Sequence, residues 1–100
     1  KKYDLWHDRA AFHFLTESNE IKHYIRSTEL HIKQNGNLII GTFSENGPLK
    51  CSGIRITQYS QISLSELFND MFKVKESFQT DHKTPLNTIQ NFTFCSFIKN

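Results

Sequence analysis

The chain has 100 residues, and its 12 Lys and Arg exceed its 10 Asp and Glu by a formal net charge of only +2. This length allows one small domain with a modest core. The basic excess is scattered, so the sequence lacks the concentrated basic surface that nucleic-acid binding requires. No apolar run is long enough to span a membrane. We therefore expect neither a nucleic acid nor a membrane as a partner.

The number and spacing of cysteines indicate the redox state of the cellular compartment. The sequence contains two cysteines, Cys51 and Cys95. A secreted chain of this size usually carries more, because disulfides compensate for a small core. Neither cysteine belongs to a Cys-x-x-Cys pair, and Cys95 lies within an apolar run. The pattern favours reduced thiols and a cytoplasmic location.

The first predicted element is a strand over Tyr3–His7, which leads into Trp6-His7-Asp8-Arg9. An aromatic connection, Asp8–Leu15, follows. Ionisable groups therefore stand where a strand ends, which is where open α/β sheets bind ligands.

The segment Ser18–Lys33 has the apolar spacing of one helix face. Positions i, i+3, i+4, i+7 and i+11 of that face are Ile21, Tyr24, Ile25, Thr28 and Ile32. Asn35-Gly36 then supplies residue types that readily adopt a left-handed conformation. We expect them to end the helix.

A continuous apolar run, Leu38–Phe43, predicts a strand that is buried on both faces. The polar segment Ser44–Ser60 follows and predicts a long loop. Compact domains rarely keep so long a loop without a function for it.

A capping box over Ser63–Glu66 predicts the start of a short helix. The apolar face of that helix would consist of Leu64, Leu67, Phe68 and Met71. Alternation of apolar and polar residues over Phe72–Gln79 then predicts a half-exposed edge strand. After a polar connection that includes Asp81–Pro85, the run Phe92–Ile98 is apolar on both faces and predicts an interior strand.

The predicted order is therefore β-α-β-loop-α-β-β. The strand–helix–strand unit implies parallel pairing with a right-handed crossover. The final two strands are joined by a short loop and should be antiparallel, with the last strand inside the edge strand.

This order and several motifs resemble the C-terminal half of a class I S-adenosylmethionine-dependent methyltransferase. The opening Tyr3–Leu15 resembles a group of small bacterial methyltransferases that act on small molecules. Within it, Asp8-Arg9-Ala10-Ala11 is similar to the thiopurine methyltransferase motif after the fourth strand. Further similarity to the bacterial group lies in Gly47–Gly53, Tyr59-Ser60 and His82–Pro85.

The resemblance implies an α/β fold with a partial Rossmann-like sheet. The family's strands four to seven would correspond to Tyr3–His7, Asn37–Ser44, Phe72–Gln79 and Ile89–Lys99. Their expected order is 4-5-7-6, with the last strand antiparallel. Residues 1–100 would form the C-terminal half of a single methyltransferase domain.

One part of the family's cofactor site has no counterpart in this sequence. The family binds the adenosine half through a Gly-rich turn and an acidic residue, but the chain contains no Gly-x-Gly. We expect the N-terminal half to be missing or to lie on another chain. The open edge of the Tyr3–His7 strand should then pair with that half or self-associate.

The resemblance implies S-adenosylmethionine as the cofactor and a small molecule as the substrate. The methionine end of the cofactor would contact Trp6, His7 and Asp8. The candidate catalytic residues are Asp8, Arg9 and His13. The arginine fork suits an anionic substrate group, while His13 could be a base, a substrate contact or a half-buried structural residue.

Further substrate contacts would come from residues expected on the same rim as Asp8. These are Arg9, Cys51, Ser52, Tyr59 and His82. A zinc site built from Cys51, His82, His13 and Asp8 is an alternative, but the four lack the close spacing typical of zinc ligands. We predict no metal.

The leading hypothesis is the substrate-side half of a bacterial small-molecule methyltransferase, inactive alone. One alternative is a non-catalytic binding or scaffold module with a methyltransferase-like sheet, and another is a freestanding α+β domain of unrelated function. The coding sequence upstream of Lys1 distinguishes the first two. A strand, a Gly-rich turn and a later acidic residue there would support the enzyme, whereas a start codon at Lys1 would favour the module.

Overall fold

Residues 2–100 are described by a computed structural model in which the longer strands form one mixed sheet. The elements in chain order are β1 (Tyr3–Arg9), a 3-10 turn (Phe12–Phe14), α1 (Ser18–His31), β2 (Ile32–Phe43), β3 (Lys50–Cys51), β4 (Ile54–Arg55), α2 (Gln61–Leu67), β5 (Phe72–Lys83) and β6 (Ile89–Lys99). β3 and β4 form a separate two-stranded hairpin.

The order of the four-stranded sheet is β1-β2-β6-β5. β1 pairs with β2 in parallel, and β6 is antiparallel to both of its neighbours. The last strand thus lies between β2 and the half-exposed edge strand β5, which confirms the α/β class and the predicted strand order. The polar alternation of β5 suits an edge, because only one of its faces packs against the core.

α1 begins where the Glu20 carboxylate accepts a hydrogen bond from the Glu17 amide at 3.4 Å. The helix ends at His31 and passes directly into β2, so the prediction that Asn35-Gly36 ends it is wrong. Asn35 does adopt a positive φ of 67°. It lies in an irregularity of β2, where the pairing jumps from Tyr3↔Ile32 to Leu5↔Asn37.

The C-terminus of α1 is capped from the far end of the chain. The Nζ of Lys99, on β6, donates to the carbonyl of Ile32 at 2.8 Å and to that of Glu29. Lys99 is only 9% exposed. Its charge therefore satisfies helix-end carbonyl groups that have no intrahelical partner.

The long loop and the second helix differ from the prediction in detail. The loop contains the β3–β4 hairpin, whose turn residues Ser52 and Gly53 have φ of 52° and 77°. The capping residues of α2 are Ser60 and Ser63, with the Ser63 amide donating to Ser60 Oγ at 3.0 Å. The predicted box over Ser63–Glu66 is therefore wrong by one turn.

α2 is also shorter than expected, and β5 is longer. The helix ends at Leu67, and Met71 lies in the following turn with 40% exposure. β5 runs on to Lys83, so the residues Asp81–Lys83 belong to a strand and not to the predicted connection.

The main core lies on one face of the sheet. Phe12 from the 3-10 turn and Phe68 from the end of α2 pack in one cluster with the inward residues of β2 and β6. Those inward residues are Leu38, Ile40, Cys95 and Phe97. Both helices therefore cover the same face, and the opposite face is covered only in part.

A smaller cluster lies on that opposite face, below the long loop. Phe43, Phe92 and Ile56 form it, with Phe94 and Cys51 packed against them. It covers the end of the sheet where β1 and β2 finish. Among residues 2–100, no helix has the length and apolar character needed to cross a membrane.

Candidate functional site

The carboxyl end of β1 is organised by the carboxylate of Asp8. This side chain is 8% exposed. Its Oδ1 accepts from the amides of Ala11 at 3.0 Å and Phe12 at 3.2 Å, and its Oδ2 accepts from the Tyr24 hydroxyl. Both carboxylate oxygens are therefore engaged in holding the 3-10 turn and α1 against the strand end.

A second hydrogen bond extends this arrangement to Trp6. The indole Nε1 of Trp6 donates to the Tyr24 hydroxyl at 3.0 Å, and the two rings meet edge to face. Burial and the adjacent Asp8 carboxylate raise the pKa of Tyr24. The phenol therefore stays protonated and links the indole to the carboxylate.

The backbone turns sharply after β1. Ala10 has a φ of 63°, a left-handed conformation that non-glycine residues rarely adopt. Its amide still donates to the Gly41 carbonyl at 2.8 Å. The turn ends β1 at Arg9, and the alternation of side chains along the strand places Arg9 on the face opposite Asp8.

Arg9 lies at the rim of the sheet beside a residue of β5. Its Nη2 is 3.3 Å from Nδ1 of His82, and its guanidinium carbon is 5.4 Å from the centre of the Phe92 ring. Among residues 2–100 the single ion pair joins Lys33 to Asp4. The guanidinium is thus held by a ring and an imidazole, and no carboxylate of the described residues pairs with it.

His13 is fully buried. Its Nδ1 accepts a hydrogen bond from the Phe43 amide at 3.0 Å, which requires the neutral tautomer with its proton on Nε2. Burial lowers the pKa of His13, and the nearby Asp8 carboxylate opposes part of that change. In this conformation neither ring nitrogen offers a lone pair to a bound substrate.

The lowered pKa of His13 makes a testable prediction about stability. Below about pH 6.5 the unfolded chain binds a proton at this residue more readily than the folded chain does. We expect the free energy of unfolding to decrease as the pH is lowered below about 6.5. Above that pH the neutral His13 should make its full contribution to stability. Urea unfolding at a series of pH values measures the effect.

The variant His13→Asn keeps an acceptor for the Phe43 amide and does not titrate. The free energy of unfolding of this variant should decrease less at acid pH than that of the unaltered chain. The variant His23→Asn, on the exposed side of α1, should show the full decrease. An unchanged pH profile in His13→Asn would show that His13 does not cause the decrease.

The remaining candidates occupy three different environments. Cys51 is half-buried in β3, and Ser52 is exposed at the hairpin turn. Tyr59 is 5% exposed and stacks near Phe12, with 5.5 Å between ring centres. Burial raises the pKa of the Tyr59 phenol to about 12. The structure therefore unites Arg9 and His82 at one rim and places Tyr59 in the core.

An open groove of about 510 Å³ runs along the flank of α1 beside β1. Trp6 and Leu15 supply apolar walls, and Tyr24, Glu20 and His23 contribute polar atoms. Since β1 pairs with β2 alone within residues 2–100, this groove adjoins an unpaired strand edge.

Metal binding finds no support in the described part of the chain. Among residues 2–100, no three His, Cys, Asp or Glu side chains lie close enough together to hold a metal ion. The Asp8 carboxylate and the His13 Nδ1 are engaged by protein donors instead.

Two residues of this region were not singled out by the sequence for a role in the site. Tyr24 stands on the apolar face of a predicted helix, and the same spacing fits simple core packing. Phe92 stands within an apolar strand. Their contacts with Asp8 and Arg9 join positions 16 and more than 80 residues apart, and local periodicity carries no information about such pairs.

Known structures provide a comparison for this geometry. The chain superimposes on the N-methyltransferase NodS from Bradyrhizobium japonicum with S-adenosylhomocysteine bound, with a TM-score of 0.70, 10% identity, and coverage of 99% of this chain and 47% of NodS. A S-adenosylmethionine-dependent methyltransferase from Anabaena variabilis gives a TM-score of 0.72, 13% identity, and coverage of 94% and 48% respectively.

A third structure was solved with a substrate as well. The 1,6-didemethyltoxoflavin-N1-methyltransferase from Burkholderia thailandensis, with 1,6-didemethyltoxoflavin and S-adenosylhomocysteine bound, gives a TM-score of 0.73 at 16% identity. The match covers 99% of this chain and 44% of that enzyme.

The chain spans less than half the length of each of these three enzymes. No protein-family model and no curated protein sequence matches it. At these identities the likeness establishes the fold and not the reaction. The chain therefore has the fold of one part of a class I S-adenosylmethionine-dependent methyltransferase domain.

Proposed function

We propose that this chain is the substrate-side half of a bacterial, cytoplasmic S-adenosylmethionine-dependent methyltransferase that acts on a small molecule. The observation that carries the proposal is that nearly all of this chain matches part of each methyltransferase structure, combined with ionisable and aromatic side chains at the carboxyl end of β1. Ligands of open α/β sheets bind in the crevice at this end of the strands.

The residues of β1 fit one side of the cofactor. The half-buried Trp6 indole and the exposed His7 imidazole offer an apolar and a polar contact at the strand end. Asp8 holds the backbone of this segment through its three hydrogen bonds, so we assign it a positioning role. When bound, S-adenosylmethionine supplies an electrophilic methyl group.

The protein's contribution to methyl transfer is mainly alignment. Displacement on a methyl carbon requires the acceptor atom to approach in line with the bond that breaks, and fixed geometry supplies much of the rate. In this proposal Arg9 and His82 hold the acceptor molecule at the rim. His13 joins the 3-10 turn to the end of β2 through the hydrogen bond from the Phe43 amide. Cys51 and Ser52 belong to the loop that encloses the substrate, and the buried Tyr59 anchors that loop in the core.

A complete site needs residues beyond those of this chain. The sequence has no Gly-x-Gly turn to bind the adenosine half, and β1 leaves one edge unpaired within residues 2–100. We propose that a second half-domain pairs with this edge and fills the groove beside Trp6 and Tyr24. In its absence, the edge is a site of self-association.

Calorimetry with S-adenosylhomocysteine tests this proposal. The chain alone should show no binding at micromolar concentrations, and the chain joined to the protein segment encoded upstream of Lys1 should bind. Micromolar binding by the chain alone would contradict the half-site. A joined protein that folds but binds neither S-adenosylhomocysteine nor S-adenosylmethionine would favour a non-catalytic module.

A further inference from the structure

The sheet face opposite the helices carries a row of aromatic side chains that ends at Arg9. The pairings Arg9↔Gly41, Gly41↔Phe94 and Phe94↔Phe78 place these four residues side by side across the four strands. Residues paired in this way point to the same face of a sheet. The row therefore leads from the edge strand β5 to the guanidinium on β1.

Gly41 makes this row continuous. A Cβ at this position would lie 2.3 Å from Cε1 of Phe94, so the ring occupies the space above the glycine, towards β1. Phe94 stacks with Phe78 on one side and with Phe92 on the other, at 5.5 and 5.7 Å between ring centres. An apolar surface thus extends to the Phe92 ring, which lies beneath the guanidinium of Arg9.

Part of this surface is accessible. Phe78 is 45% exposed, and Phe94 is half-buried. β5 lies at the sheet edge remote from β1, so a half-domain that pairs with β1 does not pair with the strand that carries Phe78. The exposed part of the row, at Phe78 and the uncovered side of Phe94, can therefore contact a small molecule in the chain as it stands.

Arg9, the charged end of the row, has no counter-ion among the described residues. Arg9 contacts an imidazole and an aromatic ring, and no carboxylate of residues 2–100 forms an ion pair with it. An arginine can only donate, so the 3.3 Å contact makes Nδ1 of His82 the acceptor and places the imidazole proton on Nε2. Arg9 and His82 thus both have N–H donors for an anion.

From this juxtaposition we infer the class of the methyl acceptor, an inference that rests on the proposed function. It is an aromatic acid, whose anionic group accepts hydrogen bonds from Arg9 and His82 and whose ring packs on Phe94 and Phe78. The guanidinium fork matches a carboxylate in shape as well as charge. The aromatic row supplies edge and face contacts for a planar ring.

Three probes separate the two parts of this inference. Benzoate carries both ring and charge, cyclohexanecarboxylate carries the charge on a non-aromatic ring, and benzyl alcohol carries the aromatic ring without the charge. Each is titrated into the chain, with dissociation constants taken from amide chemical-shift changes. Benzoate should bind at least about tenfold more tightly than either of the others, with shifts centred on Arg9, His82 and Phe94.

Variants locate the binding. Arg9→Gln should weaken benzoate binding about tenfold or more, and Arg9→Lys should weaken it less, because the charge remains while the fork is lost. Phe94→Leu should bring the affinity for benzoate close to that for cyclohexanecarboxylate. Arg26→Gln, on the exposed side of α1, should leave all three affinities unchanged.

Two results would overturn the inference. Equal affinities for benzoate and cyclohexanecarboxylate in the unaltered chain would exclude the aromatic row, and unchanged benzoate binding in Arg9→Gln would exclude the anion contact. Neither measurement involves S-adenosylmethionine. A failure here is therefore distinct from a failure of cofactor binding in the joined protein.

Discussion

Replacing Asp8 with alanine is expected to lower the free energy of unfolding by about 3 kcal/mol or more. The substitution removes the acceptor for the amides of Ala11 and Phe12 and for the Tyr24 hydroxyl. A buried donor left without a partner is destabilising by about 1–3 kcal/mol. Urea unfolding of the chain measures the loss.

Two further variants give this prediction its controls. Asp8→Asn keeps one carbonyl acceptor for the two amides and should lose less stability than Asp8→Ala. Asp4→Ala removes a carboxylate with 84% exposure that pairs with Lys33 at the surface, and should change the stability by at most about 1 kcal/mol. Equal losses in Asp8→Ala and Asp4→Ala would contradict the organising role of Asp8.

Phe12→Ala is expected to abolish the cooperative unfolding transition. The Phe12 ring is fully buried and lies 4.8 Å from the ring of Tyr24, 5.5 Å from Tyr59 and 5.6 Å from Phe68, measured between ring centres. Truncating a buried phenylalanine destabilises by about 3–5 kcal/mol, which is comparable to the total stability of many small domains. Thermal unfolding followed by circular dichroism tests this.

The matched control is the same truncation at the surface. Phe78→Ala removes a ring with 45% exposure at the sheet edge and should leave a cooperative transition with only a modest decrease in midpoint. A cooperative transition in Phe12→Ala at the midpoint of the unaltered chain would show that the 3-10 turn is not part of the main core.

The sequence predicted the sheet well because its strands carry strong, contiguous patterns. The uninterrupted apolar run in β2 and the two-sided apolar character of β6 identify interior strands, and the alternation in β5 identifies an edge. The same patterns placed the last strand inside the edge strand, and the resemblance to methyltransferases implied the same order. These features depend on residues close in sequence, where periodicity is informative.

Element boundaries were predicted less well for local reasons. Asn35 has the left-handed φ that its residue type favours, but it adopts this conformation in a strand irregularity and not at a helix end. Ser60 and Ser63 cap α2, although the later serine and Glu66 satisfy the same pattern. Where two neighbouring segments fit one motif, tertiary packing decides between them.

The chemistry of the candidate site depends on pairs that no local pattern encodes. Tyr24 donates to Asp8 from the helix, Lys99 caps α1 from the last strand, and His82 meets Arg9 across three strand pairings. For each of these residues, the sequence fits a solvent-exposed or core position without such a partner equally well. Only the fold establishes which partners they reach.

The most direct test of the methyltransferase proposal is to map cofactor binding onto this chain. The chain is labelled with ¹⁵N, joined to the unlabelled segment encoded upstream of Lys1 by segmental ligation, and titrated with S-adenosylhomocysteine. The largest amide shifts should occur at Trp6, His7, Asp8 and Arg9, with little change in α2. Saturable binding whose shifts leave this strand end unaffected, or no binding by the folded joined protein, would contradict the proposed site.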